Sequence, residues 1–123
     1  MKKVLGFSVI ILVCSFVFAQ DAIPKITARE LVRAYRENEI RFNRAYLGKK
    51  VQVTGELVKV AVSDGAPMLS IKDGSLLDMF AYCKASEMNT AADLENGLNV
   101  TVEGTVNVIL GKVILEDCII IRR

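Results

Sequence analysis

The chain of 123 residues contains no histidine and no tryptophan, and the first absence narrows its chemistry most. Without histidine there is no Ser-His-Asp or Cys-His catalysis. The usual zinc sites lose a principal ligand, and no side chain ordinarily titrates near neutral pH. A carboxylate enzyme stays open in principle, yet no carboxylate pair stands apart from the ordinary surface charges. Glu95, Glu103, Glu116 and Asp117 are scattered by strand parity, which also speaks against a calcium cage. Ser63, Ser70 and Ser75 have no base in reach of the sequence pattern and read as turn and surface hydroxyls. The expectation is a protein that is not an enzyme and holds no metal or cofactor.

A net charge of one sign is lacking too. The formal charge is +2, but Lys2 and Lys3 stand at the head of an apolar run over residues 4–18 that ends in Val17-Phe18-Ala19. That is the pattern of a signal peptide cleaved after Ala19, and the run is short for a spanning helix. An uncleaved anchor and a lipoprotein attached through Cys14 are the alternatives. Without residues 1–19 the chain keeps 14 basic and 14 acidic residues, so the basic excess belongs to the leader. A neutral domain lacks the electrostatic footprint of a general nucleic-acid binder. A protein, a peptide or an envelope polymer suits it better, with the membrane met only in transit. Export to the periplasm or the outside of the cell follows, and residues 20–123 are long enough for one domain with a modest core.

What is present is a phrase stated twice. Gly48-Lys-Lys-Val51-Gln-Val53-Thr-Gly55 returns as Gly97-Leu-Asn-Val100-Thr-Val102-Glu-Gly104. Glycine inside a strand marks a bulge or a sharp bend, so Gly55 and Gly104 predict two strands coiled at matching places. Ahead of them lies an extended lead-in over residues 21–26. Thr27 and Glu30 then have the spacing of a capping box. Leu31, Tyr35, Asn38, Phe42 and Ala45 share one helical face, which predicts a single amphipathic helix over residues 28–46. Asn38, the polar member of that stripe, is expected to be buried and to bond nearby backbone, and Glu37 and Arg41 to pair along the helix. The arginines of the opposite face are interleaved with acids and read as a solvated surface.

Strands are expected at residues 50–60, 68–72, 77–84, 99–110 and 112–121. Asp73-Gly74 is a hairpin signal, and a short helix is expected at residues 86–95. This order is that of a mainly β, five-stranded OB-fold Greek-key barrel with an N-terminal amphipathic helix and a short helix between strands three and four. The helical segment from Leu31 through Glu39, the two glycine-ended phrases, Cys83 and the run from Val113 to Cys118 resemble the exported tRNA_anti-like family of OB-fold proteins. The resemblance covers nearly all of the chain after the leader. It implies that fold and a secreted or membrane-anchored bacterial setting. The family name records a structural likeness and does not imply tRNA binding.

Two sets of residues are candidates for more than scaffolding. Cys83 and Cys118 fall in strands adjacent where an OB barrel closes, and are either a disulfide or two buried thiols acting as small hydrophobes. Phe80 and Tyr82 point the same way in strand three, with Lys72 and Lys84 nearby. Aromatics beside cations suit single-stranded nucleic acid or an oligosaccharide. The competing reading, which the pattern favours, turns both rings inward as core or under the N-terminal helix. The leading expectation is a binding or interaction module that recognises its partner through the barrel surface.

Overall fold

The structure is a computed structural model that describes residues 22–122, with side chains through residue 121. The leader, its cleavage site and Cys14 lie outside these residues. Lys25–Thr27 forms β1, which runs parallel to β2, Lys50–Ser63. Between them, Ala28–Glu37 and Glu39–Ala45 are helices α1 and α2. Ala66–Ile71 is β3, Met79–Cys83 β4, Asn99–Ile109 β5 and Lys112–Arg122 β6. A single 3-10 turn, Ala85–Glu87, leads into α3, Met88–Ala92.

The strands follow the order β1-β2-β3-β4-β6-β5, and β5 also pairs with β2, so the sheet closes on itself. The sheet has six strands rather than the five expected. The extended lead-in adds itself as β1, with Ile26 beside Val53. The predicted single helix is two. Asn38 leaves the helical region at φ −164°, closes α1 with its N–H on the Ala34 carbonyl, and accepts the Arg41 N–H at 2.9 Å to start α2. An asparagine favours such a cap because its side chain competes for backbone donors. The expectation of a local backbone bond was therefore sound, but Asn38 is exposed, and so is Ala45. The break also takes Glu37 and Arg41 off a common helix. The capping box does form: Thr27 and Glu30 each bond the other's backbone N–H at 3.1 Å. The Thr27 N–H holds the Glu30 carboxyl below its usual range. Helix α3 is shorter than predicted, and the Asp73-Gly74 hairpin opens into a loop over residues 72–78.

The doubled phrase is one antiparallel seam. Val51 faces Gly104, Val53 faces Val102 and Gly55 faces Val100, and all four valines are fully buried. They meet Leu31 and Phe42 from the helices and Leu57, Leu69, Ile71, Met79 and Leu115 from the strands in one core. Neither Gly55 nor Gly104 has the positive φ that would demand glycine. Crowding excludes a side chain instead. A Cβ on Gly55 would lie 2.5 Å from Ile71 Cγ2 and 3.2 Å from Ala28 Cβ, where α1 crosses the barrel. On Gly104 it would collide with Cys118 Sγ. The sharp irregularity lies opposite, on β6, where Asp117 and Cys118 stand against Gly104 alone and Asp117 takes φ +52°. That bulge turns the Cys118 sulfur into the space glycine vacates.

Cys83 and Cys118 are register partners across the parallel β4–β6 pair, buried and here both free thiols. Facing each other, the thiols shift in opposite directions: Cys118 lowers the Cys83 thiol and Cys83 raises that of Cys118. Burial and the Asp117 and Glu116 carboxylates push Cys118 further up.

Gly55→Val and Gly104→Val should each destabilise the domain by roughly 2–4 kcal/mol, because the added atoms must displace core neighbours. Denaturant midpoints test this; an unchanged midpoint for either variant would show that the seam tolerates a side chain. Treating the reduced chain with a disulfide-donating oxidant is expected to remove two thiol hydrogens and join Cys83 to Cys118, the donor leaving as its dithiol. On a chain-entropy basis the bond across a loop of this length contributes about 3–4 kcal/mol. Intact mass and the shift in melting temperature are the readouts, and persistence of two titratable thiols would count against the pairing.

Candidate binding face

Strand alternation decides where β4 presents its rings. Met79, Ala81 and Cys83 are buried inward, so Phe80 and Tyr82 lie on the outer face of the barrel, half-buried. The inward placement that the pattern favoured is thus corrected. The odd-numbered residues of β4 face the core, so the even-numbered Phe80 and Tyr82 take the opposite side of the pleat. Phe80 is in register with Ser70 of β3 and Ile114 of β6, and Tyr82 with Met68. Ser70 and Ile114 are covered, while Met68 is half-buried. The face is therefore a shallow apolar strip with polar margins.

The rings are organised. Their centroids are 6.3 Å apart with planes at 71°, the edge-to-face arrangement that suits aromatic quadrupoles. Lys112 Nζ stands 4.2 Å from the Phe80 centroid, within the range of a cation–π contact. The lysines picked from the sequence are elsewhere. Lys72 and Lys84 are exposed and lie just beyond β3 and β4, at opposite ends of the strand pair. Sequence reasoning missed Lys112 because it reaches Phe80 only through the parallel β4–β6 pairing, which joins positions more than thirty residues apart. Its signal was its place as first residue of the last strand, one step after the Leu110-Gly111 turn. Behind Lys112, Asn107 Nδ2 donates to Glu116 Oε1 at 3.1 Å, which fixes the far margin of the face.

Among the described residues no cluster of three metal-ligating side chains occurs. Gly55, Gly104, Cys83 and Cys118 belong to the closed seam and not to this face. A cleft of about 690 Å³ lies beside it, between α1, the loop over residues 72–78 and the β5–β6 turn.

Solved structures similar to this chain share its fold. A lipoprotein from Klebsiella pneumoniae subsp. pneumoniae MGH 78578, provisionally described as nucleic acid-binding, superposes with a TM-score of 0.66 at 17% identity. The match covers 85% of this chain and 96% of that one. Asparaginyl-tRNA synthetase from Pyrococcus horikoshii matches with a TM-score of 0.50 and 22% identity, over 62% of this chain and 20% of the synthetase. An OBody bound to hen egg-white lysozyme matches with a TM-score of 0.50 and 15% identity, over 63% of this chain and 85% of the OBody. No curated protein gives a significant match. The sequence matches the tRNA_anti-like family over residues 16–119, nearly the whole of the barrel and both helices before it. With a fold of six strands, of which β2 and β5 close the ring, the chain belongs to the tRNA_anti-like family.

Proposed function

We propose that this chain is an exported, non-enzymatic binding module. Its ring from β2 to β6 serves as a five-stranded Greek-key OB barrel, and its partner is a protein, a peptide or an envelope polymer held on the outer face of β3, β4 and β6. The observation that carries the reading is the state of Phe80. One ring face is already occupied by the Lys112 ammonium, and Tyr82 meets the ring edge-on. A nucleotide base stacking on that face of Phe80 would have to displace the Lys112 ammonium. A partner that adds apolar contact and hydrogen bonds around a preformed, shallow cluster needs no such rearrangement. The neutral balance of the chain after its leader supports the same choice. An OB-like fold bound to lysozyme is a precedent for a protein partner. Export is supported by the leader pattern and by the lipoprotein nature of the Klebsiella protein.

The second reading is single-stranded nucleic acid or an oligosaccharide on the same face, with Lys72 and Lys84 guiding the ends of the strand. What favours it is the outward placement of both aromatics together with the description of the Klebsiella protein.

Capture from envelope extract with the domain after its leader identifies the partner. Phe80→Ala and Tyr82→Ala should each weaken that binding about tenfold or more while leaving the melting temperature close to that of the parent. Salt separates the readings. A protein or neutral-polymer complex should hold between low and moderate salt, whereas a complex built on phosphate contacts loses orders of magnitude. Partner binding untouched by both substitutions would remove the face from consideration.

A further inference from the structure

Two tight turns of this barrel invite direct comparison. Asp64-Gly65 joins β2 to β3 with φ of +50° and +75°, and Leu110-Gly111 joins β5 to β6 with φ of +51° and +74°. Positive φ at both central positions is the two-residue hairpin turn that favours Asn-Gly or Asp-Gly, because a short polar side chain tolerates the left-handed region. The first turn obeys this preference. The second places a leucine there, and its side chain is fully exposed, so no packing offsets the local cost. Across the same cleft, Leu76 is also fully exposed and Leu77 is 71% exposed, both on the loop over residues 72–78.

Four cations and one acid line the cleft and the depression beside it, while Glu30 and Glu37 of α1 and Asp78 of the loop lie outside that lining. Arg36 and Lys112 line the cleft with the leucines, and Arg29 and Arg33 line the adjoining depression. Arg29, Arg33 and Arg36 recur at helical spacing along one side of α1 and are exposed. The acid among the lining residues, Asp73, is buried and accepts the Ser75 N–H at 2.8 Å, so it faces its own loop. Exposed leucines at two loop tips, ringed by cations, have the chemistry of the boundary between acyl chains and anionic headgroups.

We propose that this end of the barrel docks on an anionic phospholipid bilayer. Leu76, Leu77 and Leu110 enter the headgroup boundary, and Arg29, Arg33 and Arg36 meet lipid phosphates. The leucines at the rim of the cleft are largely exposed, Leu76 and Leu110 fully and Leu77 at 71%, which suits a surface better than a small ligand held within. Among the described residues no helix is long and apolar enough to cross a membrane. The surface adjoins the Phe80 and Tyr82 face and shares Lys112 with it, whereas Leu76, Leu77, Leu110 and the three arginines lie outside that face.

The lack of tryptophan provides a local reporter. Leu77→Trp should shift its emission to the blue, and be quenched by brominated acyl chains, with vesicles containing phosphatidylglycerol but not with phosphatidylcholine alone. Val62→Trp, at a position 67% exposed near the end of β2 and opposite Pro67 of β3, should do neither. Leu110→Asn should weaken vesicle binding about tenfold, as expected for losing most of one inserted leucine, while raising the denaturation midpoint because Asn suits the turn. Arg33→Gln with Arg36→Gln should weaken binding and flatten its salt dependence. The proposal fails if Leu77→Trp shows no lipid response, if Val62→Trp responds equally, or if Leu110→Asn binds vesicles like the parent. Saturable binding of monomeric decyl phosphate without vesicle binding would assign the cleft to a soluble amphiphile and would overturn it as well.

Discussion

The pairing of β2 with β5 is the constraint on which the rest of this molecule depends. Without it the strands form an open sheet with two free edges, and the inward valines have no common interior. With it, Val51, Val53, Val100 and Val102 become fully buried, and the ring encloses the core. Gly55 faces Val100 and Gly104 faces Val51, so the two halves interlock along one seam. The glycine positions are then used by other elements. Gly55 lets α1 press Ala28 onto the barrel beside Ile71, and Gly104 admits the Cys118 sulfur carried by the β6 bulge. One seam therefore seats the helix, closes the sheet and sets the place of the thiol pair.

That seating has consequences at the surface. Helix α1 buries Ala28, Leu31 and Val32 and so presents Arg29, Arg33 and Arg36 on its other side, toward the loop after β3. The bulged β6 lies parallel to β4 and brings Ile114 and Lys112 beside Phe80. Neither surface is built from neighbours in sequence. Each is a by-product of how the barrel closes, in the sense that changing the register of one strand would dismantle it.

The sequence was most legible where local and global preferences agree. Period-two alternation located five strands with their ends displaced by only a few residues, and the Thr27 and Glu30 spacing announced the start of α1. The errors fell where a non-local term decides. The lead-in became β1 only because β2 offers a free edge. The helix broke at Asn38 because a cap was locally better than continuation, and the periodicity of Phe42 with Leu31 hid the break. For Gly55 and Gly104 the position was right and the reason wrong, since their need for glycine comes from Ile71, Ala28 and Cys118 and not from their own backbone. Phe80 and Tyr82 were judged by hydrophobicity, but parity within β4 turns them outward. Lys112 was out of reach because nothing local connects it to Phe80.

The remaining disagreement between local preference and structure is itself informative. A chain whose capping box, Asp64-Gly65 turn and valine alternation all obey their local rules has no general tolerance for poor choices. Leu110 breaks the rule in a turn otherwise equivalent to Asp64-Gly65, and it does so without burial to compensate. Where sequences depart from local optimality with no folding benefit, the benefit lies in what the exposed group meets. The same reasoning separates Leu76 and Leu77 from a singly exposed residue such as Ile40, because they converge with Leu110 on one basic cleft. The barrel thus presents two chemically different surfaces: a shallow aromatic face where Lys112, Phe80 and Tyr82 contact one another, and an end where exposed leucines stand beside the arginines of α1.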